Sequence, residues 1–305
     1  MNYIKKGVVI PFMDGKKKSI ATEYTKLDNF NEQEDTKELN EILSLNDKMF
    51  INMSHELKTP LNVIFSAAQL MEISLTSDDG SNKDILRNID HIKKNCYRLI
   101  KVINNLVEMH KISLGSLKLN ISEEDIVEIT RYIVQASSEL IDDLGLKIYF
   151  YTNINKKIMS LDRVRIEKVL LNLISNAIKF SKPGSHINVS VVDREDYVKV
   201  SVKDDGIGIE EKDLQNLFIG YEQVDKSLSR VAEGTGVGLF LVKSFIEMHG
   251  GSVKVKSMLD KGTEFIFKIP YNYSYESSNS DKVIMQESKD ELVQIEFSEI
   301  PKSKC

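Results

Sequence analysis

The sequence has no tryptophan, two cysteines and five prolines among its 305 residues, and these scarcities exclude several classes of protein. Cys96 lies within an apolar helical repeat and Cys305 is the last residue, so the pair indicates neither a disulfide framework nor a metal site. No run approaches the roughly 18–20 apolar residues that a transmembrane helix needs. Because Met1–Phe12 also lacks a signal-peptide cleavage pattern, we expect a cytoplasmic protein.

A strong excess of charge of one sign is also missing. The 41 basic and 46 acidic residues leave a net charge of −5, and the hydrophobic share of 41% is typical of a globular protein. Proteins that bind nucleic acid usually carry a basic patch or stripe. Nucleic acid is therefore not an expected partner.

Composition divides the chain into four segments. Residues 1–38 are polar, and we expect them to be poorly ordered and too short for an ordinary sensor domain, so that the input signal would come from a separate sensor protein. Residues 39–113 have a helical period, and residues 114–271 mix helix and strand patterns. Residues 272–305 are expected to form a polar C-terminal tail with a strand at Leu292–Phe297.

Residues 39–113 predict a helical hairpin. Apolar residues recur every three, four or seven positions along the first helix, at Phe50, Met53, Leu57, Leu61, Ile64, Ala68 and Met71. The second helix carries a heptad seam with steps of four and three, at Ile85, Ile89, Ile92, Cys96, Leu99, Ile103 and Leu106. Because one hairpin cannot enclose its own seam, we expect two chains to pair as a homodimeric four-helix bundle.

Residues 114–271 predict an α+β sandwich. Helical patterns cover 122–143 and 162–180, and strand patterns cover 117–120, 147–152, 157–160, 187–193, 197–203, 252–257 and 264–269. The strands cluster late in the segment, which favours helices packed on one face of a sheet over a repeated strand–helix–strand unit. The glycine pair after His249 predicts the end of a helix.

The first motif with chemical content is Phe50–Leu61. His55 lies between the seam positions Met53 and Leu57, so its imidazole should project from the side of the bundle. A neutral imidazole is a good nucleophile near pH 7 when a neighbour holds the right tautomer, and Glu56 is adjacent. Thr59 lies one helical turn further along the same side. By itself, a surface histidine beside a glutamate is more often a solvated face.

Three further motifs lie in residues 114–271. Asn172, Asn176 and Lys179 fall within two turns of an otherwise apolar helix, where amide oxygens suit a hard cation and a lysine suits phosphate. Asp204–Ile209 follows a strand, and its two glycines would let the backbone approach a flat ring. Gly234–Leu239 opens a helix with free backbone N–H groups, which suits phosphate. Each of these patterns is weak alone, since a core helix or a turn would also explain it.

Together, these four motifs resemble the H-, N-, G1- and G2-boxes of bacterial sensor histidine kinases, in the family's order, and Leu217–Gln223 resembles the F-box. The resemblance covers about residues 45–270. It implies a nucleotide-binding domain of the type shared by gyrase, a chaperone and histidine kinases, with ATP and Mg²⁺ as cofactors. It also implies a response-regulator receiver domain as partner.

The resemblance assigns a role to each matching residue. His55 would be the phosphoacceptor, Glu56 the general base, and Thr59 would position water when the partner is dephosphorylated. Asn176 would hold Mg²⁺, Lys179 and Asn172 would lie at the phosphates, and Phe180 at the adenine ring. Asp204 would accept from the adenine amine. The remaining ATP-binding residues that the resemblance implies are Gly206, Gly208, Tyr221, Arg230, Gly234, Thr235, Gly236, Val237, Gly238 and Leu239.

Departures from the family pattern are few. Lys58 stands where arginine is common, Tyr221 where phenylalanine is common, and Gln223 where some members carry arginine. The resemblance implies that residues 218–233 form a mobile lid over the nucleotide. The last departure makes Arg230 the candidate cation of this predicted loop over the nucleotide. The C-terminal string Val293–Ser298 resembles strings in cytoplasmic kinases of spore-forming Firmicutes, without any chemical role attached.

Two other functions are compatible with part of these motifs. An ATPase of the wider superfamily would need the N- and G-boxes, but it needs no histidine on a heptad-bearing hairpin. A scaffold without kinase activity, or a relative that acts only as a phosphatase, could keep the fold. The intact Asn176, Asp204 and Gly234–Gly236 argue against such loss of nucleotide binding.

Overall fold

The computed structural model describes residues 57–71, 73, 82–218, 236–271 and 289–300. The chain divides into two compact units, Met1–Ile51 and Asn52–Cys305, and every described residue belongs to the second. The expectation of poor order in residues 1–38 therefore lies outside the described residues.

Two long helices open the second unit. Residues 57–71 are helical (α1), and α2 runs over Asn82–Ser113. The residues of the predicted seam on α2 are not buried: Cys96 and Ile103 are exposed, and the other five are half-buried. The buried residues of α2 lie on another face and are mostly polar, namely Asn88, Asn95, Lys101, Val102, Asn105 and Glu108. Helix α2 thus has an apolar face that is partly exposed to solvent and a mostly polar face that is buried.

The described part of the second unit also contains a five-stranded mixed sheet. Its strands are β2 (Lys147–Thr152), β4 (His186–Asp193), β5 (Tyr197–Asp204), β6 (Ser252–Met258) and β7 (Gly262–Pro270), in the spatial order β2-β4-β5-β7-β6. Only β2 and β4 pair in parallel, and the other neighbours are antiparallel. A separate pair joins β1 (Ser122–Asp125) to β3 (Ile158–Leu161).

Three helices cover the sheet, as the α+β prediction requires. They are α3 (Ile126–Ile141), α4 (Arg163–Phe180) and α6 (Gly238–Met248), with a short α5 (Glu211–Leu214) near the edge. Alternate residues of β4 and β5 are buried beneath them, including Val189 and Val200. This alternation is the signature of a sheet with one face on the core. The predicted fold class is confirmed.

The ends of α4 and α6 are tied together by one aspartate and one histidine. Asp162 caps α4 by accepting a hydrogen bond from the Arg165 amide at 3.1 Å, and its other oxygen accepts from the Asn120 amide at 2.8 Å. The backbone amide of Asp162 donates to Nε2 of His249 at 3.0 Å. His249 ends α6, and Gly250 follows it with a left-handed φ of 69°, which confirms the predicted helix end.

Two predictions near residue 120 are wrong. No strand forms at 117–120, and the chain is extended instead at Ser122–Asp125, where it pairs with β3. Helix α3 then starts at Ile126 rather than 122, because the Asp125 side chain caps it through the Val127 amide at 3.0 Å. The same carboxylate accepts from the Lys157 amide, so a tertiary contact helps to set the boundary.

The prediction for the C-terminal region is also wrong. Residues 289–296 form a helix, α7 (Lys289–Glu296), where a strand was expected, and the region is not simply a polar tail. Four apolar side chains are buried, at Leu292, Val293, Ile295 and Phe297. So short an apolar run fits a strand or one side of a helix equally well, and α7 takes the helical form where it packs between α2 and α4.

Buried His249 should make the fold sensitive to acid. Burial lowers the pKa of His249 in the folded chain, although the Phe245 carbonyl and Asp162 act in the opposite direction. The contribution of His249 to stability should be constant above about pH 6.5 and should fall below it, by at most about 1.4 kcal/mol per pH unit. Urea unfolding at pH 7.5 and 5.5 measures this. His249→Gln should lose less stability between these two pH values than the wild type; an equal loss would contradict the assignment.

Candidate functional site

The site lies where the second half of α4 meets the end of β5 and the start of α6. Asn172 and Asn176 stand one turn apart on α4, and Nδ2 of Asn176 donates to Oδ1 of Asn172 at 3.3 Å. Asn172 also lies against the start of α6: a Cβ atom at Gly238 would be 2.3 Å from its Nδ2. The glycine therefore leaves room for the asparagine side chain.

Asp204 is the buried carboxylate of the site. It ends β5 and is 4% exposed. Its Oδ1 accepts hydrogen bonds from the backbone amides of Gly206 at 2.8 Å and Thr263 at 3.2 Å. Burial raises the pKa of Asp204, and the two backbone donors only partly offset this effect. Because one oxygen carries both backbone bonds, the other has room for an external donor such as an exocyclic amine.

The loop after Asp204 packs backbone against backbone. The amide of Ile207 donates to the Phe180 carbonyl at 3.2 Å, and a Cβ atom at Gly206 would lie 2.4 Å from that carbonyl oxygen. Gly208 has φ of +69°, and a Cβ atom there would lie 2.0 Å from the Met258 carbonyl oxygen. Side chains at either position would force this loop away from α4 and β6.

The start of α6 provides backbone donors. Gly236 has a left-handed φ of 66°, Val237 is buried, and the helix runs from Gly238 with Leu239 half-buried in its first turn. The first N–H groups of a helix have no partner within the helix and carry partial positive charge. Such an end suits an anionic group.

Three charged side chains that were not predicted from the sequence connect α2 to α4. Glu108 of α2 is buried and pairs with Arg165 and Lys168 of α4. Arg165 in turn lies over the Phe245 ring, 5.0 Å from its centroid. No local pattern marks Glu108, because its partners are more than 50 residues away in the sequence and α2 carries many other charged residues.

Several predicted residues lie outside the described part of the chain, so the structure does not place them. These are His55, Glu56, Tyr221, Arg230, Gly234 and Thr235. Thr59 is described, and it is exposed on α1. Phe218, at the start of the predicted loop over the nucleotide, packs edge-on against Phe265 with 6.3 Å between ring centroids.

A surface depression lies away from the site formed by α4, β5 and α6. It has a volume of about 640 Å³ and is lined by Asn153, Ile154 and residues 193–197. These residues surround the turn between β4 and β5, at the opposite end of β5 from Asp204. It is therefore not part of the site formed by α4, β5 and α6.

Two family models match the chain. Residues 45–115 match the His Kinase A (phospho-acceptor) domain, and residues 161–273 match the histidine kinase-, DNA gyrase B-, and HSP90-like ATPase. Sensor protein SrrB of Staphylococcus aureus strain NCTC 8325 is 34% identical over 220 residues, which cover 72% of this chain and 37% of SrrB. The chain thus spans just over a third of the length of the curated relatives it matches.

Solved structures agree on the fold. Histidine kinase ThkA, crystallised in complex with response regulator protein TrrA, has a TM-score of 0.56 at 25% identity, covering 76% of this chain and 64% of ThkA. Histidine kinase AdeS of Acinetobacter baumannii has a TM-score of 0.55 at 22% identity, covering 72% of this chain and 98% of AdeS. The chain belongs to the bacterial sensor histidine kinases. Among the described helices, none is long and apolar enough to cross a membrane.

Asp204→Asn should stabilise the fold in the absence of any ligand. Since burial raises the folded pKa of Asp204, folding becomes less favourable as the pH rises through the window that starts at 3.8. The amide keeps an oxygen for Gly206 and Thr263 and carries no charge, so Tm at pH 7 should rise by roughly 2–4 °C. Differential scanning calorimetry measures this, with Asp196→Asn, in the exposed turn before β5, as the control. A lower Tm would show that the carboxylate holds the loop together.

Proposed function

We propose that this chain is an ATP-dependent protein histidine kinase that phosphorylates His55 and passes the phosphoryl group to an aspartate of a response regulator. The observation that carries the proposal is the assembly of Asn172, Asn176, Phe180 and Asp204 into one site, in a chain that also holds the His55 motif. The proposed division of the chain is a dimerisation and phosphotransfer hairpin at residues 39–113 and a nucleotide-binding domain at 114–271.

The nucleotide would lie across the site with its base at Asp204 and its phosphates toward α6. The adenine amine would donate to the oxygen of Asp204 that does not hold the loop, next to Gly206 and Gly208. Phe180 would lie against the ring. The phosphates would meet Lys179 and the N–H groups at the start of α6, from the loop Gly234–Leu239. Tyr221 and Arg230 complete the proposed set.

The side chains of the proposed site are compatible with a bound Mg²⁺ ion. This ion is usually held by one or two protein ligands together with phosphate oxygens and water. Among the described residues no cluster of three or more metal-ligating histidines, cysteines or carboxylates exists. Asn176 offers an amide oxygen on α4 beside Asn172, and we propose it as the protein ligand. When bound, the ion would neutralise charge on the phosphates.

His55 supplies the nucleophile in the proposed reaction. An imidazole nitrogen attacks the γ-phosphorus, the bond between that phosphorus and the bridging oxygen breaks, and ADP leaves with the bonding electrons. Glu56 accepts the proton from the other ring nitrogen, so the phosphohistidine forms without a positive ring. Lys179 stabilises the charge on the transferring group, since positioning and charge compensation dominate this chemistry.

The proposed partners follow from the second half of the reaction. The aspartate of a receiver domain attacks the phosphorus of phosphohistidine, the phosphorus–nitrogen bond breaks, and His55 is regenerated. Thr59, which is exposed on α1, would position water when the partner is dephosphorylated. The complex of ThkA with TrrA supports a partner of this kind. The partly exposed seam of α2 supports a homodimer. Because the donor is ATP, we place the protein in the cytoplasm, where a separate sensor protein could supply the signal.

The histidine can be tested by labelling. Incubation of the full chain with γ-labelled ATP and Mg²⁺ should leave acid-labile label on the wild type and none on His55→Gln, because only that imidazole is the acceptor. His91→Gln, on the exposed side of α2, should label normally. Label that persists in His55→Gln would show that another residue is the acceptor. Release of free phosphate with no label on the protein would favour an ATPase.

The base-binding carboxylate can be tested by affinity. Asp204→Asn removes the charge-assisted hydrogen bond to the adenine amine, so the Kd for Mg·AMPPNP should rise at least tenfold, in line with about 1.5–3 kcal/mol for a hydrogen bond to a charged group. Isothermal titration calorimetry measures this, again with Asp196→Asn as the control. Unchanged affinity in Asp204→Asn would remove Asp204 from the proposed site, whatever its effect on Tm.

A further inference from the structure

The C-terminal segment, residues 289–300, fills a groove between the hairpin and the nucleotide-binding domain. It consists of α7 and the turn that follows, and α7 packs against both α2 and α4. The side chains of Leu292, Val293, Ile295 and Phe297 are buried in this position. Burial of four apolar side chains is a substantial hydrophobic contact for so short a segment. The segment therefore joins two parts of the chain that the proposed reaction requires to move relative to each other.

Cations from α2 meet the end of α7. Nζ of Lys101 lies 3.0 Å from the carbonyl oxygen of Glu296, 3.2 Å from its Oε2 and 3.7 Å from Oε2 of Glu299. Nε of Arg98 donates to the Ser298 carbonyl at 3.3 Å. The last carbonyl groups of a helix are unpaired and carry partial negative charge, so cations there are favourable.

The buried position of Lys101 depends on the carboxylates of this C-terminal segment. The lysine is 7% exposed, and burying an ammonium group without a countercharge is costly. Burial lowers the pKa of Lys101, but the carboxylates of Glu296 and Glu299 more than offset this, and the pKa is raised. Ser175 of α4 donates to the same Glu296 carbonyl at 3.4 Å, so one residue of the segment is bound from both sides of the groove.

The segment also reaches a residue of the proposed nucleotide site. Oε2 of Glu299 lies 3.8 Å from Nζ of Lys179, and both side chains are largely buried, at 17% and 12% exposed. A carboxylate and a phosphate are both anions, and either can pair with the same ammonium group. While Glu299 is in place, it offers Lys179 the kind of partner that a nucleotide phosphate would offer.

We propose that residues 289–300 are an inhibitory latch, which holds the nucleotide-binding domain against α2 and competes with nucleotide phosphates for Lys179. The inference rests on the proposed function, because it takes Lys179 as a phosphate contact. Bound nucleotide weakens the latch and the latch weakens nucleotide binding by the same factor, as linkage demands. Release of the segment frees the domain to approach His55.

Calorimetric titration of the full chain with Mg·AMPPNP tests the competition. Glu299→Gln keeps the shape of the side chain and removes its charge, so the Kd should fall roughly two- to fivefold, the range expected for a partly accessible ion pair. Glu128→Gln, which removes one charge from the exposed face of α3, should leave the Kd unchanged. Equal or weaker binding by Glu299→Gln overturns the latch.

Two further measurements test the coupling. In the wild type, Mg·AMPPNP should accelerate amide hydrogen exchange in residues 292–297; unchanged exchange overturns the proposal. Ile295→Asp places a charge in the apolar groove and should raise the initial rate of labelling of His55, whereas an unchanged or lower rate in a chain of normal Tm counts against the latch.

The outcomes separate the two proposals. If the wild type and Glu299→Gln bind nucleotide equally and label His55 equally, the proposed function stands and the latch fails. If neither binds nucleotide, the proposed function fails and the latch fails with it.

Discussion

The carboxylate of Asp162 accepts a hydrogen bond from the Arg165 amide through one oxygen and from the Asn120 amide through the other, while its own amide donates to His249. These bonds hold the first turn of α4 against the end of α6. At the other end of α4, the Phe180 carbonyl accepts from Ile207. Because the helix is held at both ends, the side chains along one of its edges have defined positions relative to β5 and α6. The proposed nucleotide site is made of those side chains.

The site combines tight backbone packing with an electrostatically unfavourable carboxylate. Gly206 and Gly208 let the loop after β5 lie directly on α4 and β6, where any side chain would collide with a carbonyl oxygen. Asp204 is buried where that loop begins, and burial disfavours its ionised form. Such an arrangement is expected where a ligand, rather than the fold, benefits from the charge. The depression at the other end of β5 differs, because all the residues that line it are exposed or half-buried.

Helix α2 takes part in two kinds of contact. Its apolar seam is partly exposed, which fits the proposed pairing with a second chain. Its polar face packs against α6 and the C-terminal segment and forms ion pairs with α4. On the polar face, Glu108 pairs with cations of α4 and Lys101 pairs with carboxylates of residues 289–300. Buried ion pairs of this kind add little net stability over apolar packing, but a wrong pairing would be costly. They therefore favour one arrangement of the helices over its alternatives.

The sequence by itself determined the elements whose signal is local. The helical form of α2, the alternation in β4 and β5 and the glycine end of α6 all follow from periods and turn chemistry within a few residues. The motifs around Asn176, Asp204 and Gly236 could be matched one by one to a family. Tertiary structure alone decided the start of α3, where Asp125 is shared with Lys157, and the helical form of residues 289–296. It also decided the pairing of Lys101 with Glu296 and of Glu299 with Lys179. The physical reason is the same in each case: a short segment with two acceptable local conformations adopts the one that buries its apolar side chains and pairs its charges, and both depend on residues far away in the chain.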